Sequence, residues 1–465
     1  MPDAVLEPAS LAELDASFGG TLVTPDDPGY DDARKLFNAM IDRRPALIAR
    51  CSGVADVMTA VGLAREHDLE VAVRCGGHSV AGQSVCDGGI VIDVSPMKGV
   101  WVDPAERTAW AQAGLNWGEL DRETQAFGLA VTGGRMPDTG VAGLALGGGS
   151  GWIERKYGFT VDSILAFDLV TADGRLVRAS ADENPELYWA LRGGGGNFGV
   201  VTAFQFALHE VGPMVFGGMM MFSAEAAVDL MKAYRGFMEG APDEICGCCA
   251  IISAPPEEFV PEAVRGKPVL AVIACYVGPV EAGEAAFRPL REWGPAVDMT
   301  GPMPYTVVQQ LISPGNPPGM QHYWKAGFLR ELSDEAIETF VARGTDPSSP
   351  LTACLMLPLG GATERVDSDA TPLHFRDAKW NYHLLAQWAD PADGERHMDW
   401  ARAFDKEMAK YAEDGVYVNF VGDPSDSLIE RSFGPEKLAR LRAVKDEYDP
   451  DNVFHNTMNI RPSSA

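Results

Sequence analysis

Over the first two hundred residues, short apolar runs alternate with stretches whose apolar residues recur at helical spacing. Leu47 to Arg50 reads as a strand, Val54 to His67 as a helix and Glu70 to Arg74 as a second strand. Upstream, residues 12–43 read as a helix, a short apolar turn and a second helix around Asp32 to Ile41. Gly76 to Gly89 is a loop of small residues; a strand follows at Gly89 to Asp93, then two strands within Met97 to Ala113 about the turn Asp103-Pro104. Asn116 to Phe127 is helical, and Gly140 to Lys156 is a glycine-dense helix or loop. Ile164 to Thr171 and Leu176 to Ala179 form a hairpin, Asn184 to Leu191 a short helix and Val200 to Leu208 a strand.

The pattern changes near Gly212, where methionine and proline become frequent. Strands are predicted near 214–222, 268–276, 351–358 and 380–388, separated by amphipathic helices such as Ala224 to Met238 and Asp334 to Arg343. The shift points to a second domain. The last fifty residues carry a strand at Gly415 to Phe420 and a helix at Glu436 to Tyr448.

Composition narrows the function. With 465 residues, 46% hydrophobic and 22% charged, the chain has material for two or three cores. Its 38 basic and 66 acidic residues give a net charge of −28, which repels phosphate backbones and argues against nucleic acid and anionic membranes. The longest nearly apolar run, Met214 to Phe222, is about half of what a membrane span needs. Eight scattered cysteines make no disulfide framework, and MPDAVLEPAS lacks the basic and apolar regions of a secretory leader, so a reduced, cytoplasmic protein is expected.

Twenty-four of the 50 glycines lie between Gly76 and Gly199. Gly194 to Gly199 fits G-x-G-x-x-G, but a helix precedes it and a strand follows, the reverse of a dinucleotide-binding turn. Gly77-His78-Ser79 approaches a nucleophile elbow whose last glycine is displaced to Gly82, leaving a serine hydrolase as an alternative. No metal site is expected: H-E-x-x-H is absent, and Cys246-Gly247-Cys248-Cys249 has no second cysteine pair and reads as a buried strand. The segment Arg74 to Ser84 places His78 among glycines and small polar residues that leave backbone N–H groups free to approach a pyrophosphate. The loop Met136 to Gly151 has the same physics.

These segments, with Gly89 to Asp93, Arg155-Lys156-Tyr157-Gly158, Val170 to Gly174, Leu191 to Thr202, Tyr417 to Phe420 and Tyr448 to Phe454, resemble in order and spacing the berberine-bridge-enzyme-like group of FAD-linked oxidases in the vanillyl-alcohol oxidase superfamily. Within the group the chain is similar to bacterial 6-hydroxy-D-nicotine oxidase-like and enterocin-pathway flavoenzyme-like members. The resemblance implies an α+β fold: a PCMH-type FAD-binding domain at 1–212, an antiparallel-sheet substrate domain with covering helices at 213–414, and a segment at 415–465 returning to the first domain. It implies an 8α-histidyl bond from His78 to FAD and, because Met136 stands where many relatives have cysteine, no second covalent bond. It assigns cofactor contacts to Arg74, Gly76, Gly77, Ser79, Gly82, Gln83, Asp138, Thr139, Gly140, Gly143, Gly147, Val200, Tyr417, Asn419 and Asn459.

The reaction it implies is hydride transfer from a small or medium organic substrate, an alcohol, amine or secondary metabolite, to flavin N5, with molecular oxygen as acceptor. An N5-oxygenating flavin is the alternative within the group. Plant relatives lower the pKa of their base with a tyrosine pair; here Ser150 and Phe420 occupy those places and neither is a base. An amine needs a base less than an alcohol does. The remaining catalytic candidates are His383, Tyr323 and Lys325, with Tyr382 and His322 beside them, and strand alternation puts only one of Tyr382 and His383 on a given face. The oligomeric state is left open between monomer and homodimer.

Overall fold

The computed structural model describes residues 18–423 and 425–463. Leu47–Arg50, Val71–Arg74 and Ile90–Asp93 are almost wholly buried, as apolar strands of a parallel sheet must be. They pair parallel, and Thr21–Val23 adds antiparallel at the edge, in the order Thr21–Val23, Leu47–Arg50, Ile90–Asp93, Val71–Arg74. Helix Val54–Glu66 packs Val57, Ala60 and Val61 into the same core as Leu47 and Ile90. The carboxyl end of Val71–Arg74 opens directly into the Gly76-Gly77-His78 loop, the end at which ligands meet such sheets.

A second, five-stranded antiparallel sheet runs Val100–Asp103, Thr108–Gln112, Val200–Ala207, Ile164–Val170, Leu176–Ser180. Its core is continuous with that of the first sheet and takes in Tyr417, Ile429, Leu441, Phe454 and Ile460 from the C-terminal segment. That segment is bolted down by Lys445, fully buried with Asp449 at 2.6 Å. The same Nζ donates to the carbonyls of Asn197 (2.8 Å) and Phe454 (3.1 Å), fixing the end of the glycine run 193–196.

Residues 214–388 supply the third sheet, of eight strands. Six of them run in the order Met214–Ser223, Pro268–Tyr276, Ile245–Ser253, Ala353–Pro358, Trp380–Trp388, Gln321–Leu329, all antiparallel. One face packs under helices Ala227–Glu239, Asp334–Gly344 and Gly394–Met408 through Met231, Phe340, Phe404 and Tyr382. The other meets Trp152 and Ile153 from the side of the first two sheets, and Tyr305 from the short helix Tyr305–Val308 of its own segment. Cys246, Cys248 and Cys249 lie in Ile245–Ser253, buried and unpaired, as the apolar setting of that cluster implied.

Three expected elements are different. The helix expected around Asp32 to Ile41 is one turn, Tyr30–Ala33; the residues after it leave the helix to tie down the Gly76-Gly77-His78 loop, Phe37 N–H donating to Gly77 C=O at 3.1 Å. The part of the N-terminal helix expectation on residues 12–17 lies outside the described residues. The strand expected at Gly415 to Phe420 is an extended entry into a single 3₁₀ turn, Val418–Phe420, because Tyr417 and Asn419 bond to the glycine loop rather than to a sheet. The final helix starts earlier than expected, at Asp426, and breaks at Gly434 (φ +71°) before running on to Tyr448. Among the described residues no helix is long and apolar enough to cross a membrane.

Candidate active site

A cavity of about 310 Å³ lies where the three sheets meet. One wall is glycine: Gly76 and Gly77 from the first loop, Gly140, Gly143 and Gly147 from the second, and Gly193 to Gly196 from the third. These loops touch one another through bare backbone. A Cβ on Gly76 would stand 2.4 Å from Gly140 N, and one on Gly140 would stand 2.4 Å from Cys75 Sγ. Gly147 leaves room for Asn419, whose Oδ1 would be 2.0 Å from a Cβ there. Gly143 and Gly196 differ: a Cβ built on either meets no atom within 4 Å, so the space before them belongs to the cavity.

His78 stands at the edge of this wall, its ring stacked on Phe37 at 4.3 Å and 15°. Its Nε2 is 3.3 Å from Asp138 Oδ2, and its Nδ1 is 3.5 Å from Thr139 Oγ1. The hydrogen bond from His78 holds the Asp138 carboxyl below the usual carboxylate range. Ser79 Oγ accepts the Gln83 N–H at 3.2 Å and so closes the loop's turn, a structural use that gives the hydrolase alternative no nucleophile–base contact. Asn456 Nδ2 donates to Gln83 C=O at 3.2 Å, joining the C-terminal segment to the same loop.

The opposite wall belongs to the large sheet, with Trp324, Leu355, Leu357, His383 and Leu385 facing the cavity and Phe420 leaning over them. Alternation along Trp380–Trp388 sends His383 to the cavity and Tyr382 to the helix-covered face, where its hydroxyl donates to Asp405 at 2.8 Å. His383 stacks on Phe420 at 3.8 Å and meets Trp324 edge-on at 5.0 Å. Burial, and secondarily the Arg135 cation, push its pKa down to about 3, so the imidazole is neutral. Its Nε2 and the indole Nε1 of Trp324 are both buried without a hydrogen-bond partner. Such atoms are costly to leave unmade and mark where a ligand atom belongs.

Tyr323 and Lys325 take the other face of Gln321–Leu329, as period-two alternation about Trp324 requires. There Tyr323 donates to Asp423, Lys325 Nζ is 3.4 Å from the same carboxylate and Arg402 Nε donates to the Tyr323 hydroxyl at 3.2 Å. Of the three catalytic candidates, the structure brings His383 alone to the cavity.

The cofactor residues divide similarly. Gly76, Gly77, His78, Ser79, Gln83, Thr139, Gly140, Gly143, Gly147 and Asn419 line the cavity. Arg74 does not: it turns to Asp93 at 2.5 Å and locks two parallel strands together. Gly82 backs onto Ile41, Val200 is buried behind Val201, and Asp138 lies beside His78 rather than on the cavity. Tyr417 supports the wall from behind, its hydroxyl accepting from Gly149 N (2.6 Å) and Asn419 Nδ2 (2.9 Å). Asn459 is also set back, whereas Asn456, Thr457 and Met458 reach the cavity.

Sequence reasoning missed Arg135. This half-hidden cation donates to Ser150 Oγ (2.9 Å), Gly151 C=O (3.1 Å) and Glu154 (2.9 Å) and lines the cavity beside Met136. Only its position one residue before Met136 could have flagged it. Cys75 also lines the cavity, but burial pushes its thiol up to about 11, leaving it protonated and unreactive.

FAD fits this site by two observations. The glycine wall offers backbone N–H groups and, at Gly143 and Gly196, open space that any side chain would fill. Although the chain is strongly acidic, no carboxylate among the described residues lines the cavity, as a diphosphate-bearing group requires.

A family model described as an FAD binding domain matches residues 45–180, and one described as berberine and berberine like matches residues 416–461. The (R)-6-hydroxynicotine oxidase of Paenarthrobacter nicotinovorans is 31% identical over 97% of this chain and 98% of that protein. An uncharacterized FAD-linked oxidoreductase of Bacillus subtilis, YgaK, is 30% identical over 95% and 97% respectively. The crystal structure of 6-hydroxy-D-nicotine oxidase from Arthrobacter nicotinovorans superposes with a TM-score of 0.86 at 29% identity, covering 96% of this chain and 99% of that one. Berberine bridge enzyme from Eschscholzia californica shares the fold, with a TM-score of 0.86 at 21% identity over 98% and 99% of the two chains. Both family models and the near full-length identity bear out the resemblance read from the glycine loops, and the chain belongs to the berberine-bridge-enzyme-like family of FAD-linked oxidases.

Proposed function

We propose that the chain carries FAD bound covalently through His78 and oxidises an uncharged organic substrate of small or medium size, an amine before an alcohol, with O2 as acceptor. The observation that carries this reading is the pairing of two walls: His78 on the glycine side, and on the other side the unpartnered Trp324 Nε1 and His383 Nε2 among Leu355, Leu385 and Phe420. When bound, FAD supplies the two-electron acceptor that takes hydride from the substrate carbon and passes the electrons to O2. Gly76, Ser79, Gln83, Thr139 and Gly140 would hold its phosphates and ribityl chain, and Met136 offers no second covalent link. Residues 1–212 and 415–465 would then form the cofactor domain and 213–414 the substrate domain, a division supported by the core shared between the first two sheets and the C-terminal segment.

On the substrate side, Trp324 Nε1–H donates to a substrate oxygen or nitrogen, while the neutral His383 imidazole exchanges a hydrogen bond through Nε2. A histidine held neutral down to about pH 3 is a poor base. Ser150 is committed to Arg135, and Phe420 has no proton to exchange. The cavity residues therefore orient the substrate and exclude water, which suits a neutral amine because its lone pair supports loss of hydride without a base. The apolar floor disfavours charged substrates, since burying an unpaired charge is expensive.

The test is a panel of uncharged aromatic amines, alcohols and their carboxylated analogues presented to the holoenzyme. Anaerobic loss of flavin absorbance with an uncharged amine, followed by H2O2 release in air, is expected. Bleaching confined to the carboxylated compounds, or none with any member, overturns the reading.

A further inference from the structure

We infer that Asp138 is the positioning residue that readies His78 to bond to the flavin, by fixing which imidazole nitrogen is the nucleophile. The inference rests on the covalent link proposed above. Its geometry has two parts. Stacking on Phe37 at 4.3 Å, with His322 stacked on the far side of the same ring at 4.3 Å, fixes the plane of the His78 ring. Phe37 is itself held by its N–H on Gly77 C=O, and Asn38 clamps the segment through Val80 C=O and His322 C=O, each at 2.9 Å. With the plane fixed, the in-plane partners decide the tautomer.

Those partners are Asp138 Oδ2 at 3.3 Å from Nε2 and Thr139 Oγ1 at 3.5 Å from Nδ1. An ionised carboxylate only accepts, so Nε2 carries the proton facing it, and in that tautomer the lone pair is on Nδ1. A threonine hydroxyl tolerates that lone pair because it can donate to it. Nδ1 is thereby the nitrogen that reacts.

A bond forms between His78 Nδ1 and the flavin 8α carbon, and one C–H bond of the 8α methyl group breaks. The electron pair of that C–H bond ends in the flavin ring, reducing it by two electrons, and the ring takes up the released proton. The imidazole becomes an imidazolium whose Nε2–H stays on Asp138, so the carboxylate meets the new positive charge at the atom it already holds. O2 then removes the two electrons, with the ring proton and one from solvent, as H2O2.

The Asp138 side chain is 58% exposed, so its replacement leaves the core untouched. The experiment follows covalent incorporation after FAD is added to full-length protein produced under riboflavin starvation, reading protein-bound flavin fluorescence in acid-precipitated pellets over time. Asp138→Asn is expected to bind FAD in native gel filtration yet attach it about 10- to 100-fold more slowly, the loss seen when a carboxylate that orients an imidazole is removed. Asp138→Glu is expected to restore much of the rate. Attachment by Asp138→Asn at the parent rate overturns the inference while leaving the covalent link intact. Failure of both variants to retain any FAD assigns Asp138 to cofactor binding instead and also overturns it. A parent protein with no flavin in the pellet overturns the covalent reading itself.

Discussion

Gly143→Ala separates the cofactor wall from ordinary protein packing. Gly143 lies in the helical turn Val141–Leu146, exposed toward the cavity, and a Cβ on it meets no protein atom within 4 Å. In the cofactor-free chain the change is therefore favourable, because alanine replaces glycine in a helix at a gain of about 0.5–1 kcal/mol. A cofactor lying against that Cα meets the methyl instead. Overfilling a close-packed contact costs about 1–3 kcal/mol, a loss of about 5- to 150-fold in affinity. The assay is FAD titration by fluorescence quenching in a His78→Ala background, where binding is reversible, with thermal melts of the same proteins without FAD. Gly236→Ala is the control: that glycine sits in helix Ala227–Glu239, away from the cavity, and also has nothing within 4 Å of an added Cβ. Both variants should melt no earlier than the parent, and only Gly143→Ala should bind FAD weakly. Equal FAD affinity in the two would refute the placement of the cofactor on the Gly143 face.

Other consequences concern the opposite wall and the core. Trp324→Phe and His383→Leu should each lower kcat/KM by about tenfold, the cost of one orienting hydrogen bond in a dry site, whereas Lys325→Met on the outer face should stay within about threefold; the reverse order would contradict the assigned faces. His322 and His383 have pKa values pushed by burial to about 4 and about 3 from 6.5. The unfolded chain therefore takes up their protons as pH falls below 6.5, while the folded chain does so only near 4 and 3. Their contribution is complete above 6.5 and is lost toward pH 4, on the order of 3 kcal/mol for each histidine. Urea unfolding of the parent against the double variant His322→Leu, His383→Leu should show a gap that changes between pH 7.5 and 5; a constant gap would contradict neutral burial. Lys445→Met strands the fully buried Asp449 and should cost about 3–5 kcal/mol in denaturant unfolding, with a shift below about 1 kcal/mol arguing against the buried pair.

The sequence was most legible where backbone chemistry dictates residue type. Gly76 and Gly140 are glycines because the two loops approach at distances that no side chain survives, and Gly77 because its φ of +69° favours glycine, so composition and spacing located the wall. Alternation likewise puts His383 and Tyr382 on opposite faces, one at the cavity and one under the helices. Residues 415–420 were misread because an extended, apolar run has the signature of a strand whether its polar backbone meets another strand or, as here, its side chains Tyr417 and Asn419 meet a glycine loop. Phe37 and Arg135 were invisible for a different reason. Each works through a partner distant in sequence, His78 and His322 for the phenyl ring, Ser150 and Glu154 for the guanidinium, and nothing local marks such a pairing. Tyr323 and Lys325 passed as catalytic candidates because polar strand residues look alike until the sheet's two faces are known.

The central claim is that His78 holds the flavin. Intact-mass analysis of the denatured parent protein tests it directly, followed by fragmentation of the peptide that contains residues 75–98. The expected result is a chain heavier by one FAD less two hydrogens, the added mass residing on His78, and a His78→Ala chain of unmodified mass whose flavin is released on denaturation. A parent chain of unmodified mass, or flavin still attached in His78→Ala, would contradict it.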